Sequence, residues 1–398
     1  MQVKSKRSAQ AAARAPQRPA RASKTVAQLC ARAGAPMIGA TKTREDNALT
    51  HPLTRVAAVL ATTFASVVAA QAQTVAEFYK DKSISIIVGY GAGGGYDVYA
   101  RAVARHMGRH IPGAPAIVVQ NMPGAGSLRA ANHIYNAAPK DGTALATFGR
   151  NMPMLGVLGG NPNVQFDARK FTWIGSPTSA QDDSYMLWVR RDAKTKTLEA
   201  ATKPGGEALV LGGTAEGSTD TDVAVLMRMT IGLNAKVITG YPDSNAINLA
   251  LERGEVEGRF IGKSAVASTK PEWLKPDGLM VPFLQFARAT RHPEFPNVPT
   301  AREKAKDATA LRLIELAEIP YVLSRPIVGP PNIPADRAKA LQDALLAMCK
   351  DPVFLQEAEK LKIDVSPVGP AEALEMLNRL AEAPQELKDE IKKLQGGG

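Results

Sequence analysis

An apolar run with strand spacing, Ile84–Val88, feeds a glycine-crowded turn, Gly89–Gly95. The segment that follows, Val98 to Ile111, repeats its apolar positions at helical spacing. The same order returns twice. Ala116–Gln120 runs into Asn121-Met122-Pro123-Gly124-Ala125-Gly126-Ser127 and a helical stretch over Leu128–Ala137. Ala208–Leu211 runs into Gly212–Ser218 and then Thr219–Ile231. Further strands are predicted at Thr143–Phe148, Tyr185–Val189, Lys236–Thr239 and Val281–Phe286. Beyond Ile333 helices dominate: Pro334 precedes one reaching Lys350, Asp351-Pro352 opens another, and Ala371–Ala383 follows a proline break. Strands alternating with helices predict an α/β fold with largely parallel sheets, whose ligands collect at the carboxyl ends of the strands.

The modules group into two lobes. The first two, with the strand at Thr143, make one unit; the chain enters a second around Trp173–Thr178 and returns near Val281–Phe286. The expected divisions are a leader over 1–72, a first lobe over 73–175 and 287–398, and a second lobe over 176–286. Hinges are expected at the two crossings, Trp173–Pro177 and Val281–Phe286.

The leader has its own pattern. Residues 1–50 are rich in Ala, Arg and Lys without apolar periodicity, and read as disordered. Arg55, the apolar stretch Val56–Ala69 and Ala70-Gln71-Ala72 have the basic, apolar and small-x-small parts of a secretory signal peptide, with cleavage near Ala72/Gln73. That apolar stretch is short for a membrane span. An organellar transit peptide fits the basic first 35 residues but leaves Val56–Ala69 without a role. Met1 and Met37 both stand as candidate starts.

The cut changes the charge argument. Residues 1–72 carry 11 of the 49 Lys and Arg and 2 of the 38 Asp and Glu, so +9 of the chain's +11 lies there. The remainder carries only +2, which gives no ground for a nucleic-acid partner. Cys30 lies in the leader, so the exported chain would have one thiol, Cys349, and no internal disulfide. Cys349 sits in a helical stretch and reads as a small buried apolar residue.

A strand entering a helix through a glycine turn can hold an anion, because the first N–H groups of the helix lack partners and its dipole favours negative charge. A dinucleotide is one candidate: Gly89, Gly91 and Gly94 satisfy G-x-G-x-x-G. The acidic residue expected at the end of the next strand is missing, where Gln120-Asn121-Met122-Pro123 stands instead. Other catalytic signals are scarce. His106 and His110 share a helix face with Arg105 and Arg109, without the carboxylates or further ligands a zinc site needs, and read as surface residues. Gly258–Ser264 falls one residue short of a P-loop, and Ser127 lacks the final glycine of a nucleophile elbow and reads as a helix cap. No metal site and no cofactor are expected.

The segments FYKDKSISIIVGYGAGGGYDVYAR, IVVQNMPGAGSLRAANHIYNAAPKDGT, RHPEFPNVPT and VGPPNIPADRAKALQDALLAMCKDP occur in this order. Together they resemble the extracytoplasmic solute receptors of the tripartite tricarboxylate transporters, the Bug receptors, over roughly Val75 to Val368. The resemblance implies a two-lobed periplasmic-binding-protein-like fold of the type II kind, closing like a Venus flytrap on a carboxylate in the cleft between lobes. It implies a periplasmic, monomeric receptor that passes its ligand to a large and a small integral membrane subunit. It also implies that Gly91–Asp97 (Gly91, Gly93, Gly94, Gly95, Tyr96, Asp97) and Pro123–Ser127 (Gly124, Ala125, Gly126, Ser127) cradle a ligand carboxylate through backbone amides and waters.

Two roles fit Asp97: ordering a ligand-bridging water, or capping the helix that begins at Val98. Tyr90 and Tyr96 line the pocket or pack on the sheet. Arg150 and Arg259 each follow a strand-like run, as clamps for a second carboxylate or as solvated arginines. Thr178, Thr214, Ser218 and Tyr241 complete the candidate set. In the second lobe Gly217–Asp222 and Gly240–Ser244 depart from the commoner family pattern, and Asp220 and Asp222 either add negative charge beside the anion site or cap their helix. Solute capture without chemistry is the leading function. The alternatives are an NAD(P)-dependent oxidoreductase built on residues 89–94 and a periplasmic ligand-sensing subunit for a signalling kinase.

Overall fold

The computed structural model describes residues 73–180 and 182–395. The expected signal peptide, its cleavage site and the basic leader lie outside the described residues. Thr74 opens the described chain with a capping box: its hydroxyl takes the Glu77 N–H while Glu77 reaches back to the Thr74 N–H, starting helix α1 (Val75–Tyr79).

Two mixed five-stranded sheets follow. The first contains β1 (Ser83–Val88), β2 (Ala116–Asn121), β3 (Ala144–Thr147), β4 (Thr172–Gly175) and β10 (Ile327–Gly329) in the order β2-β1-β3-β10-β4. The second contains β5 (Tyr185–Arg190), β6 (Leu209–Gly212), β7 (Ala235–Ile238), β8 (Gly258–Gly262) and β9 (Met280–Phe286) in the order β7-β6-β8-β5-β9. In each sheet four strands point the same way and one, β10 in the first and β5 in the second, lies antiparallel between two of them. The expectation of largely parallel sheets thus holds for strand direction, with one exception in each sheet. The strands that break the rule, β10 and β5, are those that the chain reaches by crossing from the other sheet: β5 follows β4 without a helix between, and β10 follows β9 through the helix Ala308–Glu318.

Helices cover the sheets because their apolar stripes require it. In α2 (Gly95–His106), Tyr99, Ala102, Val103 and His106 are buried at the i, i+3, i+4, i+7 spacing. With Ile84, Ile86 and Val88 of β1, Tyr99, Ala102 and Val103 share a core that also includes Leu341, Leu345 and Phe354. The other face of the first sheet, including Ile87, Ala146 and Phe148, belongs to a larger core that runs on into Leu187, Val189 and Leu211 of the second sheet. Strands buried on both faces favour β-branched residues over strict alternation, as the SISIIV run of β1 shows.

Next along the chain, on the first sheet's side, are α3 (Leu128–Asn136) and α4 (Met152–Leu158). The second sheet carries α5 (Leu198–Ala201), α6 (Thr219–Ile231), α7 (Ser244–Arg253) and α8 (Lys263–Thr269). Helix α9 (Ala308–Glu318) packs on α6, and α10 (Ala335–Met348) packs on β4. Asp351 caps α11 (Pro352–Leu361) by accepting the Val353 N–H at 2.8 Å, with Pro352 in the first turn where its missing N–H costs nothing. The chain ends in α12 (Pro370–Glu382) and α13 (Gln385–Gln395). Among the described residues no helix is long and apolar enough to cross a membrane.

Val281–Phe286 is itself a strand, and Gln285 still bonds Pro299 and Ala301 beyond it. Cys349 is buried as expected, and burial pushes its thiol up to about 12.

Candidate functional site

A small enclosed cavity of about 40 Å³ lies between the sheets. From the first sheet's side it is lined by Tyr90, Gly95, Tyr96, Arg150 and Arg325, and from the second sheet's side by Tyr185, Thr214, Thr219, Asp220, Ser244 and Arg259, among others. Tyr90 and Tyr96 stack, ring centroids 4.7 Å apart. The sequence candidates thus divide. Tyr90, Gly95, Tyr96, Arg150, Thr214 and Arg259 reach the cavity; Gly91, Gly93, Gly94, Asp97, Gly124, Ala125, Gly126, Ser127, Thr178, Ser218 and Tyr241 are outside its lining.

Three guanidinium groups dominate the cavity. Arg150 follows β3 and is 2 % exposed, so the reading as a solvated arginine is corrected. Its Nη2 donates to Asp183 at 3.3 Å, and the Tyr185 and Tyr321 rings lie 5.0 and 5.2 Å away. Arg259, also 2 % exposed, points from β8; its Nη1 donates to the Ser244 carbonyl and to Asn248 Oδ1, both at 2.8 Å. Burial pulls the Arg259 pKa down, against the opposing pull of Asp220. Arg325 precedes β10, lies over the Tyr96 ring at 4.7 Å, and pairs with Asp183 at 3.1 Å. The Nε–H groups of Arg259 and Arg325 are buried with no acceptor. Buried guanidinium donors without partners cost free energy that an anion in the cavity would recover.

Two carboxylates balance part of this charge. Asp183 accepts from the Ser264 N–H at 3.0 Å and its hydroxyl at 2.7 Å, in addition to both arginines. Burial works to raise its pKa, but Arg325 and Arg150 overcome that and hold it below the usual carboxylate value. Asp220 accepts from the Thr214 N–H and hydroxyl, from the Thr221 N–H and from the Ser218 hydroxyl. It stands 4.0 Å from Arg259. Of the two sequence readings for Asp220, negative charge beside the cavity describes its position, while its bonds knit the loop before α6.

Neither Asp183 nor Arg325 was singled out in the sequence. Both sit in irregular chain, Asp183 just ahead of β5 and Arg325 just ahead of β10, where no motif spacing marks them. Asp183 had one usable signal: an acid at the crossing between the two units stands at the ligand-facing strand ends.

The glycine loops are also where the two halves meet. A Cβ on Gly91 would lie 2.3 Å from the Asp243 carboxylate, on Gly95 2.8 Å from the Ala265 Cβ, and on Gly126 2.6 Å from the Ser218 Cβ. Each close approach is to a residue of the second sheet's side. Asn245, in the first turn of α7, donates to the Ala92 carbonyl at 2.9 Å. Asn151 joins the same seam, donating to Gly217 O at 2.8 Å and Asp222 Oδ2 at 3.0 Å. The glycines let the two halves touch.

Other local readings are corrected in detail. Helix α2 begins at Gly95 with Gly94 as its cap residue, so Asp97 lies inside the first turn and does not cap. Its carboxylate accepts from the Gly93 N–H, Arg101 Nε (both 2.8 Å) and Asn121 Nδ2 (2.9 Å), bracing the loop as the acid of a capping box does. Ser127 occupies the cap position of α3 but makes no cap bond; its hydroxyl takes the Gly149 N–H at 2.7 Å. Its φ of 82° continues a left-handed turn through Gly124, Ala125 and Gly126, a conformation that strains Ala125 and Ser127. His106 is buried and paired with Glu357, and His110 meets Asp351 at 3.0 Å, so neither is a plain surface residue. Among the described residues no cluster of His, Cys, Asp and Glu could hold a metal ion.

No family profile matches the chain. A UPF0065 protein of Cupriavidus necator is 34% identical over 96 residues, 24% of this chain and 28% of that protein's length. Among solved structures, the periplasmic binding protein BugD superposes with a TM-score of 0.62 at 17% identity, covering 79% of this chain and 98% of BugD. The fold is that of the Bug-type periplasmic binding proteins. MatC of Rhodopseudomonas palustris, solved with bound malate, has a TM-score of 0.57 at 19% identity and covers 79% of this chain and 99% of its own. In this Bug-type fold the arginine-lined cavity lies between the two sheet-bearing halves, which meet along the glycine loops.

Proposed function

We propose that the chain is a periplasmic solute receptor that captures a small organic carboxylate in the cavity between its lobes and hands it to integral membrane transporter subunits, without catalysis. The observation that carries this reading is the convergence of Arg150, Arg259 and Arg325 on one enclosed cavity, two of them with buried Nε–H groups lacking an acceptor. The malate bound in MatC supports a carboxylate as the ligand class. The lobes of the proposal are 73–175 with 287–398, and 176–286. Closure brings Tyr96 and Arg150 onto Arg259 and Thr214, and a ligand touching both sides favours the closed form through those differential contacts.

The dinucleotide reading is disfavoured by the same geometry. The Asp243 carboxylate stands against Gly91, where a pyrophosphate would need the loop open, and β2 ends in Asn121 instead of an acid. A signalling role would use the same cavity. A thermal-shift screen with small carboxylates and with NAD and NADP tests the proposal. A ligand at 100 times its Kd adds about 2.7 kcal/mol, enough to move the transition visibly. Carboxylates are expected to stabilise and nucleotides to do nothing; stabilisation by NAD alone would reverse the assignment.

A further inference from the structure

We infer that the cavity selects a singly charged ligand, a monocarboxylate, over a dicarboxylate, and that Asp183 sets this preference. The inference rests on the solute-receptor reading above and narrows its ligand class.

The argument is a charge inventory. Arg150, Arg259 and Arg325 contribute three positive charges, with side chains 2 %, 2 % and 3 % exposed. Asp183, fully buried, and Asp220, 7 % exposed, contribute two negative ones. Both carboxylates face donors only: Ser264, Arg150 and Arg325 around Asp183, and Thr214, Ser218 and Thr221 around Asp220. One positive charge is left over.

The surrounding charged groups do not alter the remainder in favour of a dianion. Lys263 is matched by Glu294 at 2.8 Å and Asp364 at 3.4 Å. Asp243, the cap of α7, stands against Gly91 outside the cavity lining, and its pull on Arg259 further disfavours a second ligand charge. Asp222 faces Asn151, away from the lining. A monoanion brings the enclosed site to neutrality. A dianion leaves one charge unmatched among these buried groups, where an uncompensated charge is costly.

Asp183 is the deciding residue because of where it stands. Its Oδ2 takes both Arg150 Nη2 and Arg325 Nη1, the pair of guanidiniums a second ligand carboxylate would need. The protein supplies that carboxylate from its own chain. The free Nε–H of Arg259, on the opposite wall, is left for the ligand.

Titration calorimetry on the full chain tests this with two matched pairs, butyrate against succinate and lactate against malate, at pH 7.4. The wild-type protein is expected to bind the monoanion of each pair at least about tenfold more tightly. Asp183→Asn keeps the shape and an acceptor while removing the charge, and is expected to shift the preference toward succinate and malate. Asp220→Asn removes the other carboxylate and is expected to shift it the same way, which keeps the test open if Asp183→Asn fails to fold. Tighter wild-type binding of succinate and malate, or an unchanged preference in folded variants, overturns the inference and leaves the receptor reading standing. Failure of all four acids to bind overturns both.

Discussion

Gly95 shows how one missing side chain can serve binding without touching the ligand chemically. A Cβ there would meet the Ala265 Cβ at 2.8 Å and Arg325 Nη2 at 3.3 Å, whereas one on Gly94 meets nothing nearer than the Ser244 Cβ at 3.7 Å. Gly94 has no positive φ, so it tolerates a side chain in its backbone too. Gly95→Val is therefore expected to wedge the seam open and displace Arg325, weakening carboxylate binding at least about tenfold, or 1.4 kcal/mol. Gly94→Ala should bind within about threefold of wild type, under 1 kcal/mol. Calorimetry on folded variants reads both, and equal affinities for Gly95→Val and wild type would show that the seam is not part of binding. The sequence marked the glycine loop as special, but gave no sign that Gly95 and Gly94 differ in what stands against them. What made the loop legible was its density of glycine; what made its role illegible was that Asp243, Ala265 and Ser218, the residues it accommodates, lie far along the chain.

Elements carry the next level of the argument, and α6 is the most informative. Its boundaries, Thr219–Ile231, were readable from the sequence because Ser218 precedes the apolar pattern and Gly232 ends it in a left-handed turn. Its charge state was not readable. Burial raises the Asp222 carboxyl from 3.8 to about 7; the Asn151 bond opposes the shift and Asp220 adds to it. Between about pH 4 and 7 the folded protein therefore holds a proton that the unfolded chain has released, so stability falls as pH rises through that window and levels off above it. Asp222→Asn removes the penalty. The variant should match wild type near pH 4 and exceed it by a few kcal/mol at pH 8, as urea unfolding at the two pH values would measure. A uniform shift at both pH values would assign the effect to the Asn151 hydrogen bond instead. Helix α2 teaches a related point. Its start was misplaced by three residues because Asp97 resembles a cap, and only the tertiary partners Asn121 and Gly93 reveal that it braces the loop from within the helix.

At the scale of the whole molecule, the alternation of strands and helices was enough to indicate two α/β units, since periodicity is local. Strand direction was not, because β5 and β10 reverse the parallel rule only through crossings between the sheets. The continuous apolar core shared by both sheets and the seam at Asn151 and Asn245 describe a shut molecule. Small-angle scattering should then show a larger radius of gyration for the free protein than for the carboxylate-loaded one, and the loaded profile should match the structure described above. An identical profile in both states would mean a rigid, preformed site. The close approaches at Gly91, Gly95 and Gly126 also govern how such a scaffold can diversify. Because they fasten one half to the other, while the proposed cargo contacts are those of Arg150, Arg259 and Arg325, a descendant can exchange its clientele while keeping the same clasp. A glycine signature of this kind advertises the jaw, and says nothing of what it bites.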